Sequence, residues 1–336
     1  MGSNWLIGID LGGTKTEVIL MDRHSQEHYR QRVPTSVGNY QVTLQTIHAL
    51  VQKAEAHAGT TGIPVGIGIP GSVSGKTGRI KNANSTWLNG QSMQQHLREL
   101  LQRPVTLTND ANCLALSEAA DGAGRNHHTV FAAILGTGCG AGITVNGQLL
   151  TGPNGVAGEW GHNPLPWTPE AELRQRPCFC GRYGCNETFL SGTGLSLTHK
   201  LHTGQQLPAH IIVENARNGD SQATDTLKQY LEHLARGLAA VINVLDPDIV
   251  VLGGGMSNAE QIYRELPGRL SSYVFGGECD TSIVKAAHGD SSGVRGGGLV
   301  DLSLLVHRNR KIKPAISMLD GVRWFTWLQK NLPVKA

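Results

Sequence analysis

Three cysteines fall within eight positions, in the segment PCFCGRYGC at 177–185, and the sequence GEWGH places a histidine at 162. Cys178, Cys180, Cys185 and His162 would supply three thiolates and one imidazole, the donor set of a closed tetrahedral zinc site. Gly181 and Gly184 let the chain bend sharply enough for closely spaced sulfurs to face one ion. The alternative, three free thiols in a loop, leaves such a density of reduced cysteine without a packing reason. A four-ligand shell has no position open for substrate, so the ion is expected to be structural. Apparent binding energies at small structural zinc sites are about 10–16 kcal/mol, comparable with the stability of a whole domain. Loss of metal is therefore expected to disorder the loop.

Three glycine turns form a second group: DLGGTK from Asp10, GTGCGAG from Gly136, and the glycines at 253–255. Bare backbone can approach phosphate oxygens and aim N–H groups at them, which a Cβ would obstruct. The turns match neither GxxxxGK[ST] nor a GxGxxG that opens a helix, so a P-loop or a Rossmann site has little support. One glycine cluster alone reads equally well as an ordinary hairpin. Three in this order could enclose a nucleotide.

Asp110 is the candidate general base. A lone aspartate after a strand is more often a helix N-cap. Here it stands beside Asn109, while Gly71 follows another strand and Glu159, His162 and Glu187 surround the cysteine segment. Carboxylates and amides suit the hydroxyls of a sugar.

The elements that must position these residues follow from periodicity. WLIGID and KTEVILMD predict a β-hairpin across the first turn; Ile47, Leu50, Val51 and Ala54 predict a helix over 42–58; PVGIGI at 64–69 predicts a buried strand. A strand over 105–108 should lead into a helix over 111–120, placing Asp110 at a strand-to-helix corner, where open α/β sheets bind ligands. A strand over 129–135, the glycine turn and a strand beginning near Ile143 repeat the opening theme, and IGIDLGGTKTEVIL and AILGTGCGAGITV suggest a duplicated lobe. A helix over 221–245, stopped by Asp246 and Pro247, should feed a strand over 249–252.

Composition sets the outer limits. A chain of 336 residues, 39% hydrophobic and 16% charged, fits one large two-lobed fold or two modest domains. No uncharged apolar run approaches the roughly 20 residues that span a bilayer, and MGSNWLIGID lacks a basic region ahead of an apolar segment, so no membrane partner and a cytoplasmic location are expected. The net charge of +3 is uneven: 302–336 holds seven Lys or Arg against Asp320 alone, leaving 22 basic and 25 acidic residues before it. The main body thus has no electrostatic case for nucleic acid.

Taken together, DLGGTK, GTGCGAG with GVAGEWGH, CxCGxxGC, LGGG, NDAN at Asn109–Asn112 and CNET at Cys185–Thr188 resemble the ROK family of bacterial sugar kinases and repressors, up to about Gly296. The resemblance implies the α/β actin-like fold of hexokinase and the Hsc70 ATPase, with two duplicated ribonuclease H-like lobes. It would place an N-terminal lobe at 1–122, completed by a helix near 291–306, and a C-terminal lobe at 123–290, with an atypical basic tail at 307–336. It also implies ATP as donor, its phosphates over Gly12, Gly13, Thr14 and Lys15 and over Gly136, Thr137 and Gly138, and its adenosine side at Gly253, Gly254 and Gly255. Magnesium would lie near Asp10. The sugar would meet Gly71, Asn84, Asn109, Asp110, Glu159, His162 and Glu187, with Asp110 taking the proton of the 6-hydroxyl. His162 would serve both zinc and sugar. Asn186 departs from the family, which more often has an aliphatic residue there.

Within the family, NANSTWLNG at 82–90 and EWGHNPLPW at 159–167 look most like members that phosphorylate fructose, followed by those that take N-acetylglucosamine and then glucose. A homodimer is expected. ROK repressors need an added helix-turn-helix module, for which the turn at Asp10 leaves no room, so a repressor is the minor alternative. After Gly296 the family pattern gives way to GGLVDLSLLVHRNRKIKPAISMLDGVRWFTWLQKNLPVKA, which reads as a frameshift-like extension.

Overall fold

The apolar run of the opening segment and the alternation after it form β1 (Trp5–Leu11) and β2 (Lys15–Asp22), antiparallel across the first glycine turn. The computed structural model describes residues 4–300; expectations for the basic tail fall outside the described residues. A polar edge strand, β3 (Glu27–Pro34), follows, then helix α1 (Tyr40–Ala58), whose buried face includes Ile47, Leu50, Val51 and Ala54 as the spacing requires. Asn39 caps its start and Gly59, in the left-handed region, its end. Strand β4 (Val65–Ile69), the small hairpin β5 (Ser72–Val73) and β6 (Ile80–Lys81), helix α2 (Met93–Leu101), β7 (Val105–Asn109) and α3 (Asp110–Ala120) complete the first half.

The second half begins with β8 (Thr129–Leu135), β9 (Cys139–Val145) and β10 (Gln148–Leu149). The returning strand starts at Cys139, four residues before the expected Ile143, because Gly140 and Gly142 pair fully in the ladder; the free turn is only Gly136–Gly138. Helices α4 (Glu170–Arg174), α5 (Glu187–Leu190), α6 (Gly192–Thr203), α7 (Ala209–Arg217) and α8 (Ser221–Leu245) precede β11 (Ile249–Gly253). Short α9 (Glu260–Glu265) and α10 (Pro267–Leu270), strand β12 (Ser282–Lys285) and a helix over 292–300, here α11, follow. The expected bounds of α8 hold, with Asp246 ending it in the left-handed region.

Two five-stranded sheets result, ordered β3-β2-β1-β4-β7 and β10-β9-β8-β11-β12. In each, the first two pairings are antiparallel and the last two parallel. The internal sequence similarity thus marks equivalent hairpins, β1–β2 and β8–β9, of two sheets with one topology. Each sheet has its own large apolar core.

Helix α11 returns the chain to the first sheet. Val294, Leu299 and Val300 pack with Leu6, Ile19, Met21 and Leu116. The approach is so close that a Cβ on Gly8 would overlap the carbonyl of Val294 and one on Gly66 that of Gly297. Glycine is needed where two backbones touch. The sequence logic that changes at Gly297 therefore still builds helix through residue 300.

Candidate active site and metal centre

Strands β1, β4 and β7 run parallel, so their carboxyl ends bring the residues after Ile9, Ile69 and Thr108 to one edge of the first sheet. Asn109, not Asp110, caps α3: its Oδ1 accepts from Ala111 N at 2.8 Å, while its Nδ2 donates to Gly71 O at 3.0 Å. One amide thereby fixes the helix start and the turn after β4. Gly71 has a φ of +75°, and a side chain there would strike the backbone of Lys81 and Ala83. Asp110 occupies the first helical position, where its Oδ1 also accepts from Ala111 N at 2.8 Å.

Asp110 is open to solvent, yet enough protein crowds it that desolvation raises its pKa above the usual carboxylate value; Glu159 adds to the rise and hydrogen bonds oppose it. Asp10, near the end of β1, is pushed up to about 7, by burial first and then by the negative charges of Asp110 and Glu17. Three carboxylates, Asp10, Asp110 and Glu159, are thus electrostatically linked across the two halves of the chain. A crowded carboxylate with too little positive charge nearby fits a divalent cation at Asp10.

The four zinc-type donors converge. His162, Cys178, Cys180 and Cys185 offer ligand atoms all within 4.8 Å of one another. Cys178 Sγ lies 3.6 Å from His162 Nδ1, and Cys180 Sγ lies 3.6 Å from Cys185 Sγ. Bonds of about 2.0–2.3 Å at tetrahedral angles imply ligand separations of roughly 3.5–3.8 Å. Two of the six separations match that spacing and the others stay within 4.8 Å, so the donor set and its spacing suit a tetrahedral zinc site. Burial pushes the Cys185 thiol up to about 12, with hydrogen bonding to its sulfur neighbours adding to it.

Glu187 joins the cysteine loop to the second glycine turn. Its Oε2 accepts from Cys139 N at 3.0 Å, and its Oε1 lies 4.0 Å from Cys178 Sγ. Asn186, the departure from the family pattern, is buried with Nδ2 donating to Trp160 O at 2.9 Å, so a polar side chain is accommodated. Trp160 itself packs edge-on against Phe131 in the core, 5.4 Å between ring centres.

The second and third turns meet. Gly254, with φ +79°, lies against Leu135 and Gly136, and Gly136, Thr137 and Gly255 line one cavity of about 1310 Å³. Gly138 flanks this turn on the Glu187 side, and Gly253 is the buried end of β11. The first turn, Gly12–Lys15, is not part of that cavity's wall; it belongs to the other sheet, with Ser85 Oγ facing Gly13 and Asn84 exposed beside it. The sequence reading missed the cavity's helical wall, including Thr193, Lys200, His210, Arg217 and Arg264. These residues come from α6, α7 and α9 at ordinary helical positions; only the small-residue run SGTG at 191–194 hinted at them.

A family model described as "ROK family" matches residues 6–301. The chain belongs to the ROK family of sugar kinases. It is 41% identical over 300 residues to an N-acetyl-D-glucosamine kinase of Yersinia enterocolitica, covering 88% of this chain and 99% of that one. Among solved structures, the ROK hexokinase of Thermus thermophilus superposes with a TM-score of 0.78 at 28% identity, over 88% of this chain and 97% of the other. The ROK glucokinase of Streptomyces griseus, solved with glucose and AMPPNP, gives 0.71 at 27%, over 89% and 98%. The fold is that of the actin-like sugar kinases. No helix among the described residues is long and apolar enough to cross a membrane.

Proposed function

We propose that the protein transfers the γ-phosphoryl group of ATP to the 6-hydroxyl of a hexose, with Asp110 as general base. The observation that carries this reading is the strand-end cluster: Asp110 stands at the α3 corner, locked to Gly71 through Asn109 and charge-coupled to Asp10 and Glu159. Asp110 takes the hydroxyl proton as that oxygen bonds to the γ-phosphorus and the bond to the β-phosphate bridging oxygen breaks. A raised pKa makes the carboxylate a better proton acceptor than an ordinary aspartate. Phosphoryl transfer needs positioning and charge neutralisation more than covalent help, which suits two sheets facing both substrates.

The phosphates would lie over Gly12–Lys15 and Gly136–Gly138, with adenosine in the cavity by Gly255. Magnesium held at Asp10 would supply charge neutralisation for the phosphates. Zinc, held by His162, Cys178, Cys180 and Cys185, would supply a rigid frame for the loop. His162 Nδ1 faces Cys178, which leaves its other ring nitrogen for the sugar. Gly71, Asn84, Asn109, Glu159 and Glu187 would complete the sugar's contacts. The lobes would divide near 122–123, with α11 completing the first; the active form would be a cytoplasmic homodimer.

N-acetylglucosamine is the sugar the relatives favour, since the Yersinia kinase shares 41% identity along nearly its whole length. Fructose is kept as a second reading on the segments 82–90 and 159–167 alone. Purified protein given ATP, magnesium and, in turn, N-acetylglucosamine, fructose, mannose and glucose should release ADP fastest with N-acetylglucosamine. A tenfold preference for fructose would restore the second reading, and no phosphosugar from any of the four would end the kinase proposal.

A further inference from the structure

We propose that Thr35 and Thr193 are positioning residues for the phosphoryl donor, each tying back the carbonyls of one glycine turn so that the turn offers N–H groups to phosphate. The inference rests on the reading that ATP lies over both turns. A peptide unit carries a donor on one side and an acceptor on the other, and a carbonyl oxygen aimed at a polyphosphate repels it. Glycine-rich backbone reorients at little steric cost. Such a turn needs an outside tether to keep the right side forward.

In the second turn every carbonyl is engaged. Gly136 O accepts from Gly192 N at 2.7 Å, Thr137 O from Thr193 Oγ1 at 2.9 Å, and Gly138 O from Gly136 N at 3.0 Å. Among the described residues, the N–H groups of Thr137 and Gly138 have no acceptor. Thr193 sits one residue into α6, whose start Ser191 caps, and it lines the same cavity as Thr137. A rigid helix end thus carries the tether.

The first turn has the same device from a different source. Thr35 Oγ1 donates to Gly12 O at 2.9 Å, Thr35 N donates to Thr14 O at 3.0 Å, and Gly12 N closes on Lys15 O at 2.9 Å. The N–H groups of Gly13 and Thr14 have no acceptor among the described residues. Thr35 is buried and oriented by Thr16 Oγ1 at 2.8 Å. It follows β3, whereas Thr193 begins a helix far along the other half, so repetition of the hairpin alone does not account for both tethers.

The test uses the full chain with Thr193→Val, Thr193→Ser, Thr35→Val and Thr35→Ser. The valine variants keep shape and remove the hydroxyl bond; the serine variants restore it. Loss of one such bond should raise KM for ATP, and the calorimetric Kd for ADP, by roughly two- to tenfold in the valine variants. KM for sugar should stay within about twofold of wild type, and serine should recover nucleotide affinity. Unchanged ATP and ADP constants in the valine variants would overturn the inference, as would sugar KM rising in step with ATP KM. Should a valine variant not fold, the alanine variant is measured by the same criteria. Failure of the wild-type chain to bind ADP would instead sink the underlying reading, and the first titration detects it.

Discussion

At the scale of single residues, Asp110 carries the sharpest expectations. Asp110→Asn keeps the size and helix position but cannot take a proton, so turnover should fall by about 10²–10⁴ while ADP binding and the melting temperature stay near wild type. A variant within tenfold of wild-type kcat would remove Asp110 from the mechanism. The raised pKa fixes a sign as well: below it the carboxyl is protonated and cannot accept the hydroxyl proton, so kcat/KM should fall as pH drops through it. The acid limb should therefore lie above the ordinary aspartate value of 3.8, and a limb at or below that value in a pH–rate profile would contradict the crowding around Asp110. Asp110 and the cysteines stand out as candidates in the sequence alone, because acid–base and metal chemistry admit few side-chain types. The double duty of Asn109 was not legible, since a hydrogen bond to Gly71, 38 residues earlier, depends on which strands pair. Thr35 and Thr193 were hidden for the same reason: a threonine acquires a role from the carbonyl it meets.

Elements explain how the cysteine loop keeps its shape. Arg176, just after α4 and only 1% exposed, donates to Thr188 O at 2.8 Å and Thr198 Oγ1 at 2.9 Å, and its guanidinium lies 4.0 Å above the Phe189 ring. Glu172 of α4 stands 3.6 Å away. Desolvation pushes the arginine's pKa down to about 10, with Glu172 opposing it, so the group remains charged at neutral pH. Arg176→Ala should cost about 3–5 kcal/mol in urea denaturation, because it leaves buried acceptors unmatched. A loss under about 0.5 kcal/mol would show that the loop is anchored elsewhere. Chelation should lower melting temperature and sugar affinity together, since His162 and Glu187 both depend on the loop; metal-free protein with normal sugar affinity would refute that orienting role. The long periodic elements, α1 and α8, were readable from spacing. Strand β3 was not, because EHYRQRVP is a polar edge strand without an apolar stripe, and α4–α7 are short or weakly patterned, so tertiary packing decides them.

At the scale of the whole molecule, the two halves meet along α3, where Leu114 and Ala115 pack with Val130, Ala132, Ile249 and Val251 and a buried carboxylate gathers the crossing chain. Glu118, fully buried near the end of α3, accepts from Ala123 N, Ala287 N, His288 N and Ser292 Oγ, at 2.8, 2.9, 3.1 and 2.9 Å. Those donors lie on the two stretches of chain that pass between the sheets. Nearby, Asp121 pairs with His288 at 2.7 Å and with Arg295 of α11. Glu118→Gln replaces one acceptor oxygen with an NH₂ group among N–H donors, and should lower stability by about 2 kcal/mol or more. A neutral effect in chemical denaturation would mean that the crossings are held by packing. The strand order repeated in both sheets was foreshadowed by two similar glycine hairpins. The family resemblance already implied that a helix near 291–306 completes the first lobe; its return onto Gly8 and Gly66 needed three dimensions, because those partners lie about 230–290 positions upstream. That return sets a timetable for synthesis. The ribosome completes the first sheet, at Asn109, roughly 10–40 s before the helix that covers it, at about 5–20 residues per second. For that interval nascent chains carry an uncovered apolar face around Leu6, Ile19 and Met21, an open invitation to chaperones and to neighbouring nascent chains alike.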